Sequence, residues 1–257
     1  MLSERDQSTF DWIRQGRDEP LRSKTIGWKG NFVSHLIPPV FESYAKLLHR
    51  IEAHYEFIDK PLSASENAIL GISSCDPLKS FVERRRIDSQ GTLIRWKELA
   101  ELLNLPIAPA IDHKWFLTKL SDPWCWGRLL RGPDEGYLSQ EECETLASIL
   151  KTFTSNQGCF FRFSDIPFYA RSGQAQLFSG TLDEVAEFQK EKRLSFEYWW
   201  PSDQSWCVCS DYDLCFTIIA GPRQLVSALL RHSVLECIEV KQQTRIDVFA
   251  PLPQDHA

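Results

Sequence analysis

No run of apolar residues approaches the roughly 18 that would cross a bilayer, and the mean hydropathy is −0.29, so no transmembrane helix is expected. The glycine-rich loops that cradle nucleotide phosphates are missing in both common forms, Gly-x-x-x-x-Gly-Lys-Ser/Thr and Gly-x-Gly-x-x-Gly. There is no His-Glu-x-x-His, no Gly-x-Ser-x-Gly, and no His-x-Glu paired with Pro-Cys-x-x-Cys. These absences remove the short-motif arguments for an enzyme without excluding one. No Cys-x-x-Cys pair occurs, so ribbon and finger zinc sites lack their usual spacing. Excess basic charge is lacking as well. Lys and Arg total 29 against 35 Asp and Glu, a net charge of −6. That balance argues against broad, sequence-independent nucleic-acid binding and leaves a local basic patch possible.

The chain has 257 residues, enough for one large domain or two small ones. Hydrophobic residues make up 43% and charged residues 25%, the balance of an ordinary globular protein. Residues 1–8 carry charge of both signs and no apolar core, so no secretory signal is expected and the cytoplasm is the expected compartment. The eight cysteines are Cys75, Cys125, Cys143, Cys159, Cys207, Cys209, Cys215 and Cys237. Most sit among Trp, Phe and Val, as expected of reduced, buried, small hydrophobes.

Apolar spacing predicts helices near 95–104, 140–152, 182–192 and 223–231. Ser139 with Glu142, and Thr181 with Glu184, are capping boxes that start the second and third of these. Residues 159–163, 174–178, 235–240 and 244–249 read as strands. The stretch 40–51 fits either a helix or a strand. Residues 206–219 read as one long strand, or two joined by a bulge, with Cys207, Cys209, Asp211, Asp213, Cys215 and Thr217 on one face. The 55–91 stretch is rich in Pro, Ser and Gly, carries Arg84-Arg85-Arg86, and reads as a loop insertion. The expected fold is therefore a single α+β domain over 1–257, a mostly antiparallel sheet with about four helices packed on it.

Four groups of side chains could carry function. Asp211 and Asp213, with Asp203 nearby, would place carboxylates roughly 7 Å apart along a strand face, a spacing that suits a divalent cation bridging phosphates. Backbone or Arg bonding at a strand edge is the plainer use of such a pair, and it is preferred. The cysteines of 207–215 lack a basic neighbour in sequence that would form a thiolate, so core packing is preferred there too. The histidines read as isolated surface or satisfied core groups. Trp199 and Trp200 are adjacent rings that a strand would point to opposite faces, one buried and one exposed beside Asp203 for stacking or a protein contact. Burial of both rings is the preferred reading.

The run Trp199-Trp200-Pro201-Ser202-Asp203-Gln204-Ser205-Trp206-Cys207-Val208, with Asp211-Tyr212-Asp213-Leu214, Phe216-Thr217 and Leu229-Leu230, resembles the C-terminal part of a family of bacterial, largely actinobacterial, proteins of uncharacterised activity. Pro38-Pro39-Val40-Phe41, Trp96-Lys97-Glu98-Leu99-Ala100 and Pro133-Asp134-Glu135-Gly136 are similar too. The likeness covers most of the chain outside 55–91, and departs at Arg50, where the family tends to carry proline after the histidine. It implies a cytoplasmic bacterial protein and says nothing of chemistry.

The expected function is a non-enzymatic, cytoplasmic binding or interaction protein, of which a toxin-neutralising immunity protein would be one case. Trp199, Trp200, Asp203, Asp211 and Asp213 are its candidate binding residues. The expected partner is another protein, with no membrane, no nucleic acid, no cofactor and no assigned metal ligand. The alternative is a metal-assisted enzyme acting on a phosphate or glycosyl substrate through Asp211 and Asp213. A third reading is a small-molecule sensor with a cavity walled by Trp and Phe.

Overall fold

The structure, a computed structural model, describes residues 2–18, 22–23, 27–28, 31–58, 76–120, 124–155, 158–163, 175–192 and 195–247. The chain divides into two compact units. The first combines Met1–His49 with Asp134–Ala250, and the second is built on Arg50–Pro133. No helix among the described residues is long and apolar enough to cross a membrane.

The first unit is organised by an eight-stranded sheet. Its strands are β1 (Ser3–Arg5), β4 (Ser43–Leu48), β8 (Cys159–Phe163), β9 (Gln176–Gly180), β10 (Tyr198–Pro201), β11 (Cys207–Cys209), β12 (Phe216–Gly221) and β13 (Cys237–Val240). The order is β1-β9-β8-β10-β11-β12-β4-β13, and every neighbouring pair is antiparallel. A separate small pair, β2 (Arg22–Ser23) and β3 (Gly27–Trp28), lies in the same unit.

The ambiguous 40–51 stretch is settled by this sheet. β4 lies between β12 and β13, so all six of its residues are buried whatever their period. A strand covered on both faces reads as a continuous apolar run rather than an alternation. β12 and β13 both pair antiparallel with β4 and so run parallel to each other.

Helices α6 (Gln140–Lys151), α7 (Leu182–Lys192) and α8 (Arg223–Leu230) share a core with one face of the sheet. Ala45, Leu47, Phe161, Trp199, Val208 and Ile219 from the strands meet Leu146, Leu150, Val185, Leu225 and Leu229 from the helices. The cap at Ser139 forms as the spacing predicts. Glu142 N donates to Ser139 Oγ at 3.2 Å, and Ser139 N donates to Glu142 Oε2 at 2.8 Å. At α7, Thr181 N donates to Glu184 Oε2 at 2.7 Å.

The opposite face of the sheet meets the N-terminal segment. Phe10 packs edge-on to Tyr198 with ring centroids 4.9 Å apart, and Trp12 lies 6.4 Å from Trp200. α1 (Asp11–Gly16) brings Ile13 into this layer. Lys46 is fully buried on this face, its ammonium 3.9 Å from the Phe216 ring centroid.

The second unit holds a three-stranded sheet in which β5 (Ile51–Ala53) lies between β6 (Leu93–Ile94) and β7 (Leu130–Arg131). Its helices are α2 (Asp76–Ile87), α3 (Trp96–Leu102), α4 (His113–Lys119) and α5 (Trp124–Leu129). Part of the 55–91 stretch, residues 59–75, lies outside the described residues. Asp76–Ile87 is a helix where composition alone suggested loop. Pro77 does not break it, because a proline in the first turn gives up an N–H that has no acceptor within the helix. Within the Arg84-Arg85-Arg86 run, Arg85 turns inward. It donates to Glu98 Oε1 at 2.7 Å and to the Leu93 carbonyl at 2.5 Å, tying α2 to β6 and α3.

All four predicted helices form, and four more accompany them among the described residues. Two of the additions, at 113–119 and 124–129, lie in a stretch that carries Trp115, Trp124 and Trp126. Asp112 caps the first of them, its Oδ1 accepting from Lys114 N at 2.9 Å. The strand expected at 174–178 is shifted to Gln176–Gly180. Of the strand expected at 244–249, residues 248–249 lie outside the described residues, and only a bridge from Arg245 to Phe32 is seen before them.

Candidate functional site

The 206–219 stretch is not one strand. β11 and β12 are antiparallel partners, with Val208 opposite Ile219, and residues 210–215 turn between them. The turn is written in Asp211-Tyr212-Asp213. Asp211 Oδ1 accepts from Asp213 N at 3.0 Å, and Leu214 N donates to the Asp211 carbonyl at 3.0 Å. Asp211 and Asp213 therefore do not project from a strand face as the alternation predicted. Burial raises the Asp211 carboxyl above its ordinary range, and the Asp213 charge adds to the rise.

Asp203 sits in the exposed turn between β10 and β11, where its Oδ1 accepts from Ser205 N at 3.0 Å. Trp199 and Trp200 are each 1% exposed, so neither ring is offered to solvent beside Asp203. The strand does send them to opposite faces. Trp199 joins the helix-side core, and Trp200 stacks on Phe160 at 5.6 Å on the other side. Both faces are covered, so alternation yields two buried rings. The five predicted binding residues do not converge on one open site.

Cys143, Cys159, Cys207, Cys209 and Cys215 are buried, and these five and Cys237 are free thiols. Burial pushes the thiols of Cys143, Cys159 and Cys237 up to about 12, and those of Cys207 and Cys209 upward as well. Such thiols stay protonated near neutral pH and supply no nucleophile.

The polar chemistry that the turn organises is internal. His49 Nδ1 lies 2.6 Å from the Asp134 carbonyl oxygen, which can only accept, so Nδ1 carries the proton. Nε2 then accepts from the Thr217 hydroxyl at 2.9 Å, and Ser210 Oγ lies 2.7 Å from Thr217 Oγ1. Burial lowers the His49 pKa to about 4, against a small opposing pull from the Asp134 carbonyl. A hydroxyl–hydroxyl–imidazole chain has the connectivity of an activated nucleophile. Here His49, Thr217 and Ser210 are at most 3% exposed, so the chain ties β4, β12 and the turn together. Gly136 completes the cluster. Its N–H donates to the Leu214 carbonyl at 2.8 Å, its φ is +64°, and a Cβ there would stand 2.5 Å from the Tyr212 Cα. Gly136→Ala is therefore expected to destabilise the first unit by more than about 2 kcal/mol, because left-handed strain adds to a backbone clash. Urea denaturation checks this, and an unchanged midpoint would contradict the close approach.

An open concavity among the described residues lies elsewhere, near the β1 edge of the sheet. A groove of about 490 Å³ is lined by Leu2, Phe178, Phe188, Glu184, Glu187 and Glu191. Phe188 stacks on buried Phe196 at 4.5 Å, and Phe178 stands 6.2 Å from Phe188, so two half-buried rings form an apolar floor. The glutamates rise from α7. They recur at helical spacing, which sets them on one side of the helix. Gly180 shapes the corner, since a Cβ there would meet Glu184 Oε2 at 2.5 Å and Leu2 Cδ2 at 2.6 Å. Sequence reasoning read α7 only as a capped helix. The signal available was Glu184, Glu187, Phe188 and Glu191 in one helical stretch, but a solvated acidic face looks the same until Phe178 and Leu2 are placed beside it. Comparison with protein-family models, with curated proteins and with solved structures gives no match.

Proposed function

We propose that this chain is a binding protein that takes a segment of another protein into the groove between α7 and the β1–β9 edge. The observation that carries this reading is an apolar floor, the half-buried rings of Phe178 and Phe188 with Leu2, left open to solvent beside three glutamates. Apolar surface held open beside charged groups is what protein contact sites use. The Asp203 and Asp211 carboxylates accept from amides of their own turns, which favours structural use over catalysis. Six free thiols among the described residues support a reducing compartment, the cytoplasm.

Site-specific photocrosslinking tests the reading. A photoreactive residue replaces Glu187 in the groove or, as a control, Val40, which is 72% exposed away from the groove lining. The expected result is a discrete adduct with one cellular protein from position 187 only, lost on adding Phe188→Asp. Equal adducts from both positions, or none from 187, would overturn it.

A further inference from the structure

We infer that the segment bound in this groove is cationic and amphipathic, with an apolar side chain on the Phe178–Phe188 floor and Lys or Arg facing the glutamates; this rests on the binding reading above. Three carboxylates, Glu184, Glu187 and Glu191, border the floor. At 1.5 Å rise per residue they span about 10 Å along α7. A fourth carboxylate lies on the sheet face that carries Phe178. Glu4 on β1 is the register partner of Phe178, so both side chains leave the sheet on the same face.

The basic residues of α7 itself, Lys190 and Lys192, both lie in its last turn, past Glu184 and Glu187. Lys192 stands 4.0 Å from Glu191, both well exposed, a distance and exposure that neutralise little. Lys151 is engaged with Asp183 at 2.6 Å. Arg5 on β1 donates to Ser179 Oγ at 2.7 Å, and this pair leaves the sheet on the face opposite Glu4 and Phe178. Glu184 is partly committed, since its Oε2 accepts from Thr181 N, and this fixes the carboxylate at the groove corner. An anionic segment would meet like charge along the α7 side of the groove. A purely apolar one would leave the carboxylates desolvated beside it.

β1 is short, has all three residues exposed and carries Glu4 and Arg5, features that discourage addition of another strand. Side-chain contacts in the groove, rather than backbone pairing at the edge, therefore supply recognition.

The test is fluorescence anisotropy on the full chain with labelled Lys-Leu-Lys-Phe-Lys-Leu-Lys. Controls are the same peptide with Glu for Lys, the same with Ser for Leu and Phe, and spermidine as competitor. Glu187→Lys in the groove is compared with Glu239→Lys on β13, the far edge of the sheet, which changes net charge equally. The expected result is binding that weakens with salt, falls about tenfold or more in Glu187→Lys, and changes less than about twofold in Glu239→Lys. Both control peptides bind about tenfold more weakly or worse. Equal loss in the two variants, Ser-peptide binding as tight as the Leu/Phe peptide, or displacement by micromolar spermidine would overturn the inference. Should the crosslink from position 187 form while the cationic peptide fails, the partner chemistry falls and the groove stands. Should both fail, the binding reading falls with it. Melting curves of both variants confirm that they fold.

Discussion

Trp199→Ala is expected to cost the first unit about 3–5 kcal/mol, the range for truncating a fully buried aromatic side chain. The ring is 1% exposed, and its Nε1 donates to the Phe196 carbonyl at 3.2 Å. On β10 it stands opposite Phe161 on one side and Val208 on the other. Removing it opens a cavity in the helix-side core and takes this donor from the Phe196 carbonyl. A single domain has only about 5–15 kcal/mol in all, so much of the stability goes with one side chain. Urea denaturation followed by near-ultraviolet circular dichroism measures the loss. A change under about 1 kcal/mol would mean that the ring is not packed in this core.

The second large effect is expected with pH. His49 has a pKa of about 4 in the folded chain, against about 6.5 when unfolded. Between those values the unfolded chain binds a proton that the folded chain refuses. Stability is therefore complete above about 6.5 and falls as the pH drops toward 4, by roughly 3 kcal/mol at most. His35, also lowered by burial, acts in the same direction. Asp211, raised by burial, acts in the opposite one, gaining stability as acid protonates it. His49→Gln removes the main titration. Denaturation of both proteins between these pH values, read by amide exchange in β12, should show a steeper fall in the wild type. Parallel curves would contradict a neutral, buried His49.

Much of the first unit was legible from residue order. The capping boxes at Ser139 and Thr181 placed two helix starts, because a side chain bonding its own backbone is a local event. The α+β class and the antiparallel sheet followed from strands and helices of the right lengths. Two kinds of feature were not legible. The 206–219 stretch reads as one long strand, or two joined by a bulge, because the aromatic and β-branched residues on both sides outweigh Ser210, Asp211 and Asp213. Those residues nonetheless bend the chain, through the Asp211 carboxylate and the Asp213 amide. The candidate site was hidden for a different reason. Leu2 is far in sequence from Phe178 and Glu187, and the pairing of β1 with β9 brings it beside them. Trp199 and Trp200 drew notice by composition, yet composition does not tell a covered sheet face from an open one.

Amide hydrogen exchange across the full chain, with and without the Lys-Leu-Lys-Phe-Lys-Leu-Lys peptide, tests the groove most directly because it reports binding wherever it falls. Slowed exchange in residues 2–5 and 176–192, with β13 and the 210–215 turn unchanged, is the predicted result. Protection centred on the Asp211–Asp213 turn, or confined to residues 76–131, would contradict it and move the binding surface away from α7.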